Sequence, residues 1–429
     1  MNQAMSINFT EQARMSSAAR MSWTSANLTD RRWSGRGFLF FACVALALGA
    51  VAIIEPSPSD IGIILLVAQG FLCGNLRWDR TCVLPSILLC VFVLSNLASL
   101  CYAIDPGQGA SFFLVTLFMI VTWLFTIGIL TRFEERGLRI LMSGYTVGGV
   151  LSSLLALLAY FGILPFGDIF LFYDRIKGLF KDPNVFGPYL IVIAVYSLSR
   201  LQASDDSLAR KFLWLFSCLI SSLGILFSYS RAAWANYAVT LFVFFVLNAM
   251  ANRAARMLRR NLAYSIIAIA LVGGAIAYAS TIPQVSEVIA YRTEIQDYDA
   301  DRFATHDAAL ELGLNNPLGV GPGQSFLLLD YATHSLYLRV FSENGVIGFL
   351  SLVAFVLLTL VRSLLLSQRA QNCFQRAMFA LIAAAILGTL LNSFAIDTLH
   401  WRHFWFLLAL GWMPLWSKAP TSPRQGAAG

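Results

Sequence analysis

DRFATHDAALELGLNNPLGVGPGQSFLLLDYATHSLYLRVFSENG, Asp301–Gly345, is polar, broken by glycine and proline, and holds two of the four histidines, His306 and His334. Most of it falls within Thr281–Ser335, the only long hydrophilic segment after the amino terminus. The contrast with its surroundings decides the fold. Of the 429 residues 58% are hydrophobic and 12% charged, whereas a soluble domain carries about 25% charged residues. Apolar runs of near-spanning length fill most of the rest of the chain, which predicts an all-α, polytopic integral membrane protein.

Working outward from that segment, the pattern divides the chain into five parts. Residues 1–37 are polar, rich in Ser, Ala and Arg, and have no apolar core. They read as a flexible cytoplasmic tail with no cleavable signal. Residues 38–280 hold nine apolar runs, 281–335 form one large outer loop, 336–416 hold three more runs, and 417–429 form a second tail. Twelve spans place both termini on one side. The weakest is Ile61–Cys73, which is short enough to be re-entrant. The seven cysteines lie in or beside apolar runs without metal-type spacing and read as inert core residues.

Lysine and arginine concentrate in cytoplasmic loops of membrane proteins. With the amino terminus inside, 22 of the 30 basic residues fall on the cytoplasmic side. This pattern accounts for the net charge of +7 without a nucleic-acid partner. Eight basic residues break it: Arg175, Lys177, Lys181, Arg231, Arg292, Arg302, Arg339 and Arg402. Cations gathered at an outer interface need counter-charge, and the arginine fork suits phosphate because it makes two charge-assisted hydrogen bonds at once.

The exceptions occur in three constellations. In Tyr173–Leu190, Arg175, Lys177 and Lys181 face either a specific anionic headgroup or bulk anionic lipid. Asp182-Pro183-Asn184 is a turn that also starts a helix, so Asp182 is either a cap or a ligand contact. Arg231, in Ser228–Trp234, lies between two apolar runs. A cation at that depth is paired or functional more often than it snorkels. In the outer loop, Asp301–Gly313 reads as a helix lying on the membrane through Ala308, Ala309, Leu310 and Leu312, with Arg302 and His306 sharing one face. Asn315–Gly323 is a tight loop whose backbone N–H groups are free to approach an anion. No P-loop lysine follows, so nucleotide binding is not supported.

His334 stands at the mouth of the tenth span, with Arg339 and Glu343 near the same end of that helix. Neutral imidazole accepts a proton from a hydroxyl near neutral pH. The competing reading is an interfacial histidine bonded to a loop carbonyl. His400 and His403 stand beside Trp401 and Trp405, which read together as an aromatic interface belt.

Lys181-Asp182-Pro183-Asn184 with Phe186-Gly187, Ser230–Trp234, Asn316-Pro317 with Gly319-Val320-Gly321, and His334-Ser335 followed by Glu343-Asn344-Gly345 together resemble the O-antigen ligase family and the related polysaccharide polymerases. The layout of about twelve spans with one large outer loop resembles it too. The resemblance implies a GT-C-like glycosyltransferase in the bacterial inner membrane, with its active site facing the periplasm. It implies a glycan donor on undecaprenyl diphosphate and, for a ligase, lipid A–core oligosaccharide as acceptor, with inversion at the anomeric carbon and neither nucleotide nor metal. By the same resemblance Arg231 and Arg302 bind the donor diphosphate and His334 is the base. Arg175, Lys177, Lys181, Asp182, Asn184, His306, Arg339 and Glu343 remain substrate-binding candidates. A polymerase of the same superfamily, a transporter or flippase, and a non-catalytic scaffold are the alternatives. Sparse charge within the spans disfavours transport.

Overall fold

A computed structural model describes residues 35–203, 206–251, 297–329 and 332–416, together with residues 263, 274 and 281; side chains of residues 297–303 are not described. The ninth expected span, most of the 281–296 stretch with Arg292, and both tails apart from residues 35–37 lie outside the described residues. What is described is helical but for a two-residue hairpin. The helices are α1 (Gly35–Leu48), α2 (Pro58–Leu72), α3 (Val83–Leu100), α4 (Pro106–Tyr160), α5 (Pro183–Leu201), α6 (Leu208–Phe227) and α7 (Arg231–Ala251). After the undescribed stretch come α8 (Asp297–Asn315), α9 (Ser325–Leu329), α10 (Leu336–Arg369), α11 (Cys373–Asn392) and α12 (Arg402–Leu410). The hairpin pairs β1 (Leu171–Phe172) with β2 (Arg175–Ile176). Among the described residues, seven helices are long and apolar enough to cross a membrane, and the chain is an all-α polytopic membrane protein.

Two of these helices are longer than one span. At about 1.5 Å per residue, the 55 residues of α4 would run roughly 80 Å. Its backbone leaves helical geometry at Glu134, near its middle, so one continuous element is long enough to serve as two crossings. In α10 the break is at Gly345 (φ 70°, ψ −176°), which separates a short segment ending at Asn344 from the long apolar one beginning at Val346.

Apolar side chains cover the outside of the bundle: Phe40, Leu65, Phe71 and Phe212 are each more than 60% exposed. Small and hydroxyl-bearing residues lie inside. On α4, Gly144 and Gly148 let the α1 backbone approach so closely that a Cβ on either would strike the Cys43 or Ala47 carbonyl. In lipid, such small-residue pairs replace the hydrophobic effect as the means of packing helices. Cys82 is buried, as a core cysteine should be, but Cys73, Cys90, Cys101 and Cys373 are exposed. Their apolar runs turn those positions outward, which sequence position alone does not reveal.

The Gly345 break is held by the glycine-rich loop. Val320 N–H donates to the Ser342 carbonyl, Gly321 N–H to that of Glu343, and Val346 N–H to that of Pro317, each at 3.0 Å. The loop therefore supplies the partners that a broken helix loses. These N–H groups do not face an open anion site, contrary to the sequence expectation. No L side chain adopts the Gly345 backbone without strain, and a Cβ there would overlap Pro317 and Leu318. Gly345→Ala is expected to cost roughly 1–3 kcal/mol in backbone strain, with further loss from displacing the loop. A lower thermal midpoint in detergent checks this.

Candidate active site

The first cationic cluster is assembled by Arg175. The hairpin turns through Tyr173, whose φ of 50° is left-handed, and delivers Arg175 into a buried position. There Arg175 Nε donates to the Ser228 carbonyl at 2.8 Å and Nη2 to Asn184 Oδ1 at 2.9 Å. One guanidinium thus ties the hairpin, the start of α5 and the turn before α7 together. Asp182 caps α5, accepting from Asn184 N–H at 2.8 Å, with Pro183 in the first helical position. Lys181 pairs with Glu55 at 2.8 Å across an open surface, where such a bridge contributes little to stability. Lys177 is half-buried at the end of the hairpin, and its backbone N–H donates to the Phe170 carbonyl.

The turn held by Arg175 sets up Arg231. Tyr229 is buried in a left-handed conformation (φ 48°), with its hydroxyl 3.0 Å from that of Tyr160. Ser230 Oγ accepts from Ala233 N–H and caps α7. Arg231, half-buried, is the first residue of that helix. Strained non-glycine residues of this kind cost of order 1–3 kcal/mol and persist where the surroundings over-determine them.

His334 is strained in the same way, at φ 45°, and half-buried. Ser335 then begins α10, whose Leu336 N–H donates to the Ser393 carbonyl at 3.0 Å. Further along α10, Arg339 pairs with Glu343 at 3.1 Å and with Asp397, and lies over the Phe112 ring. Glu343, buried, also accepts from Gly323 N–H at 2.7 Å and Ser325 Oγ at 2.6 Å. Arg339 and Glu343 thus form a satisfied internal network that locks the loop ahead of His334. Burial favours a neutral Asp397, but the Arg339 guanidinium outweighs it and holds the carboxyl below its ordinary range. His400 is pushed down to about 3, first by burial and then by Arg339, so its ring is neutral near pH 7.

Helix packing brings Arg231 and His334 to the same end of the bundle. α7 and α11 run antiparallel, with Gly388 packed against Asn236 and Thr240. Five residues back from Asn236 is Arg231, and five on from Gly388 is Ser393. Each step rises about 7.5 Å, so Arg231 and Ser393 stand at similar height. Ser393 in turn holds Leu336, two residues beyond His334.

Arg302 and His306 lie on α8, one turn apart as expected. This helix does not rest on a membrane through the Ala308–Leu312 side alone. It buries Thr305, Ala309 and Gly313 against the protein, with Gly313 on the Phe341 ring, and leaves Leu310 and Leu314 exposed. His306 is half-buried; the Arg302 side chain lies outside the described residues.

A cavity of about 280 Å³ opens at the same end. Its mouth carries Glu55 and Lys181, and His403, Tyr145, Tyr189 and Phe406 line it further in. Arg402, on its wall, is held by Asp60 through two hydrogen bonds of 2.7 Å. Trp401 and Trp405 are buried, with Trp405 Nε1 donating to the Leu399 carbonyl, and do not form the expected interface belt. His400 Nε2 lies 3.0 Å from Thr116 Oγ1. Sequence reasoning missed this group because Asp60 and Arg402 are 342 positions apart and neither has a motif. The usable signal was Arg402 itself, a cation that breaks the topological pattern.

Residues 216–353 match the family model described as O-Antigen ligase. That stretch holds Arg231, Arg302, His334 and the Gly345 break; Arg175–Asn184 and the whole lining of the cavity lie outside it. No curated protein matches the chain.

Proposed function

We propose that this chain, whose residues 216–353 match the O-antigen ligase family model, transfers a glycan from undecaprenyl diphosphate to lipid A–core oligosaccharide at the periplasmic face of the inner membrane. Ligase or polymerase action on lipid-linked glycans is what that match supports. The finer reading is supported by one observation: the segments bearing Arg231 and His334 lie at the same end of the bundle, with Ser393 at the height of Arg231 and its carbonyl accepting from Leu336 N–H.

In this reading Arg231 and Arg302 hold the donor diphosphate. A lipid diphosphate leaves readily once its developing charge is stabilised, and cations in a partly dry site provide that stabilisation. His334 takes the proton from the acceptor hydroxyl as oxygen attacks the anomeric carbon from the face opposite the diphosphate. Inversion follows, and the donor's own bond energy drives transfer. Arg175, Asn184 and Asp182 position the Arg231 turn; Arg339 and Glu343 position the His334 loop. Lys177, Lys181 and His306 are the further substrate-binding candidates in this reading.

The test is reconstitution with purified lipid-linked glycan, offered lipid A–core and a second lipid-linked glycan in the same vesicles. The ligase reading expects glycan on lipid A–core. Longer lipid-linked glycan, formed whether or not lipid A–core is present, makes the protein a polymerase.

A further inference from the structure

Six large apolar side chains stand exposed among the described residues of the outer loop: Leu310, Leu314, Leu318, Phe326, Leu327 and Leu328. They lie outside the membrane-crossing helices, in a segment that is otherwise hydrophilic. Exposed apolar surface gathered in this way marks a docking face, and its placement says what covers it.

The helix α8 carries three different surfaces. Thr305, Ala309 and Gly313, each one turn from the next, face the protein, with Gly313 against the Phe341 ring. Leu310 and Leu314 form the neighbouring row. Asp307 and Glu311 form the row beyond it, and both are exposed. At about 100° per residue these rows follow one another round the helix as protein side, apolar edge and acidic edge. A helix surrounded by water needs no such division of its exposed face. A helix lying along a lipid–water boundary does, with leucines towards the chains and carboxylates towards water.

Both ends of this apolar surface are tied to membrane-crossing helices. Leu318 follows Pro317, whose carbonyl accepts from Val346 N–H. Val346 opens the long segment of α10, down which Ile347, Leu350, Leu357 and Val361 carry an exposed apolar stripe. The leucine edge of α8 therefore runs on into a stripe that faces lipid. The short helix α9, with Phe326–Leu328, is held in a similar way. Just before it, Gln324 Oε1 accepts from Asp105 N–H at 2.8 Å, and Gln324 Nε2 donates to the Asp105 carbonyl at 3.2 Å. Asp105 caps α4, and its neighbours Tyr102 and Ile104 are exposed too. Each patch thus sits at the end of a crossing helix, where hydrocarbon gives way to head groups.

We propose that the outer loop is seated in the lipid surface at two points, Leu310–Leu314–Leu318 and Phe326–Leu328, with the acidic row of α8 turned to water. The partner is the bilayer, and the loop is an interfacial element of the protein. Seating fixes the height of the loop that ends in His334, so a group carried on a lipid meets it at the membrane surface. The docking stands without the transferase reading.

The test uses the full-length protein in vesicles of phosphatidylethanolamine and phosphatidylglycerol. Leu314, Phe326 or, as the water-side control, Glu311 is replaced by the photoreactive benzoylphenylalanine. After irradiation, intact-protein mass spectrometry is expected to find about tenfold more phospholipid adduct at Leu314 and Phe326 than at Glu311. The unmodified protein supplies a second measurement that no misfolded variant can confuse. In hydroxyl-radical footprinting of the same vesicles, Leu314, Leu318 and Phe326 are expected to be labelled as weakly as Ile347 on the crossing helix. Labelling of these residues well above that of Ile347 overturns the proposal. So do lipid adducts no more frequent at Leu314 and Phe326 than at Glu311, and adducts there whose mass is that of a second protein chain.

Discussion

Replacing His334 with alanine is expected to lower glycan transfer by roughly 10²- to 10⁴-fold, the usual contribution of a positioned general base, while the protein still inserts and purifies normally. The structure adds a complication. His334 has φ 45°, and alanine in that region costs on the order of 1 kcal/mol in strain, so a loss of activity could come from a shifted loop. His334→Asn removes the ambiguity. Asparagine tolerates left-handed backbone and keeps a hydrogen-bonding side chain, but it cannot accept a proton near neutral pH. Both variants should lose transfer to a similar degree in single-turnover reactions, with thermal midpoints close to that of the parent protein. Wild-type turnover by the asparagine variant would remove His334 from the chemistry and leave it as a turn residue.

The spanning helices show where sequence reasoning succeeded. Apolar runs of near-spanning length located the helices because lipid requires every spanning backbone to satisfy its own hydrogen bonds. The basic residues that defied the topological pattern then pointed to the segments around Arg175, Arg231 and Arg339, all of which the structure gathers at one end. What could not be read was the division of labour among them. Arg175, Arg339 and Glu343 look like ligand contacts as isolated charges. In three dimensions Arg175 and Glu343 are buried, Arg339 is largely so, and they are bonded to Ser228, Asn184, Asp397, Gly323 and Ser325. Those partners lie on other helices or across a loop, at distances along the chain that no local pattern encodes. The glycines misled in the same way. Asn315–Gly323 has the composition of an anion nest, yet it pairs with a break in α10 that depends on Gly345, more than twenty residues further on. The Asp60–Arg402 pair had no local signature, and only packing discloses the cavity that Arg402 and His403 line.

Arg231 is the second residue whose replacement should have a large effect, and its place at the first position of α7 explains why. The N-terminus of a helix carries partial positive charge, so a cation there is disfavoured by roughly 0.3–1 kcal/mol. Folding alone would select Ser, Asp or Glu at this position. An anionic ligand reverses the balance, because the guanidinium and the positive end of the helix dipole then act on the same charge. Arg231→Ala is expected to lower the transfer rate at saturating donor by about 10²- to 10³-fold, the cost of removing one charge-stabilising donor from a transition state. Arg231→Lys keeps the charge and loses the fork, so it should recover part of that rate but not all. The kinetic split carries the argument. If Arg231 stabilises the departing diphosphate, the loss appears in the rate at saturation. If it only holds the donor in the ground state, the half-saturating donor concentration rises and the saturated rate survives. The second pattern would leave Arg231 as a docking residue and assign the leaving-group charge to Arg302.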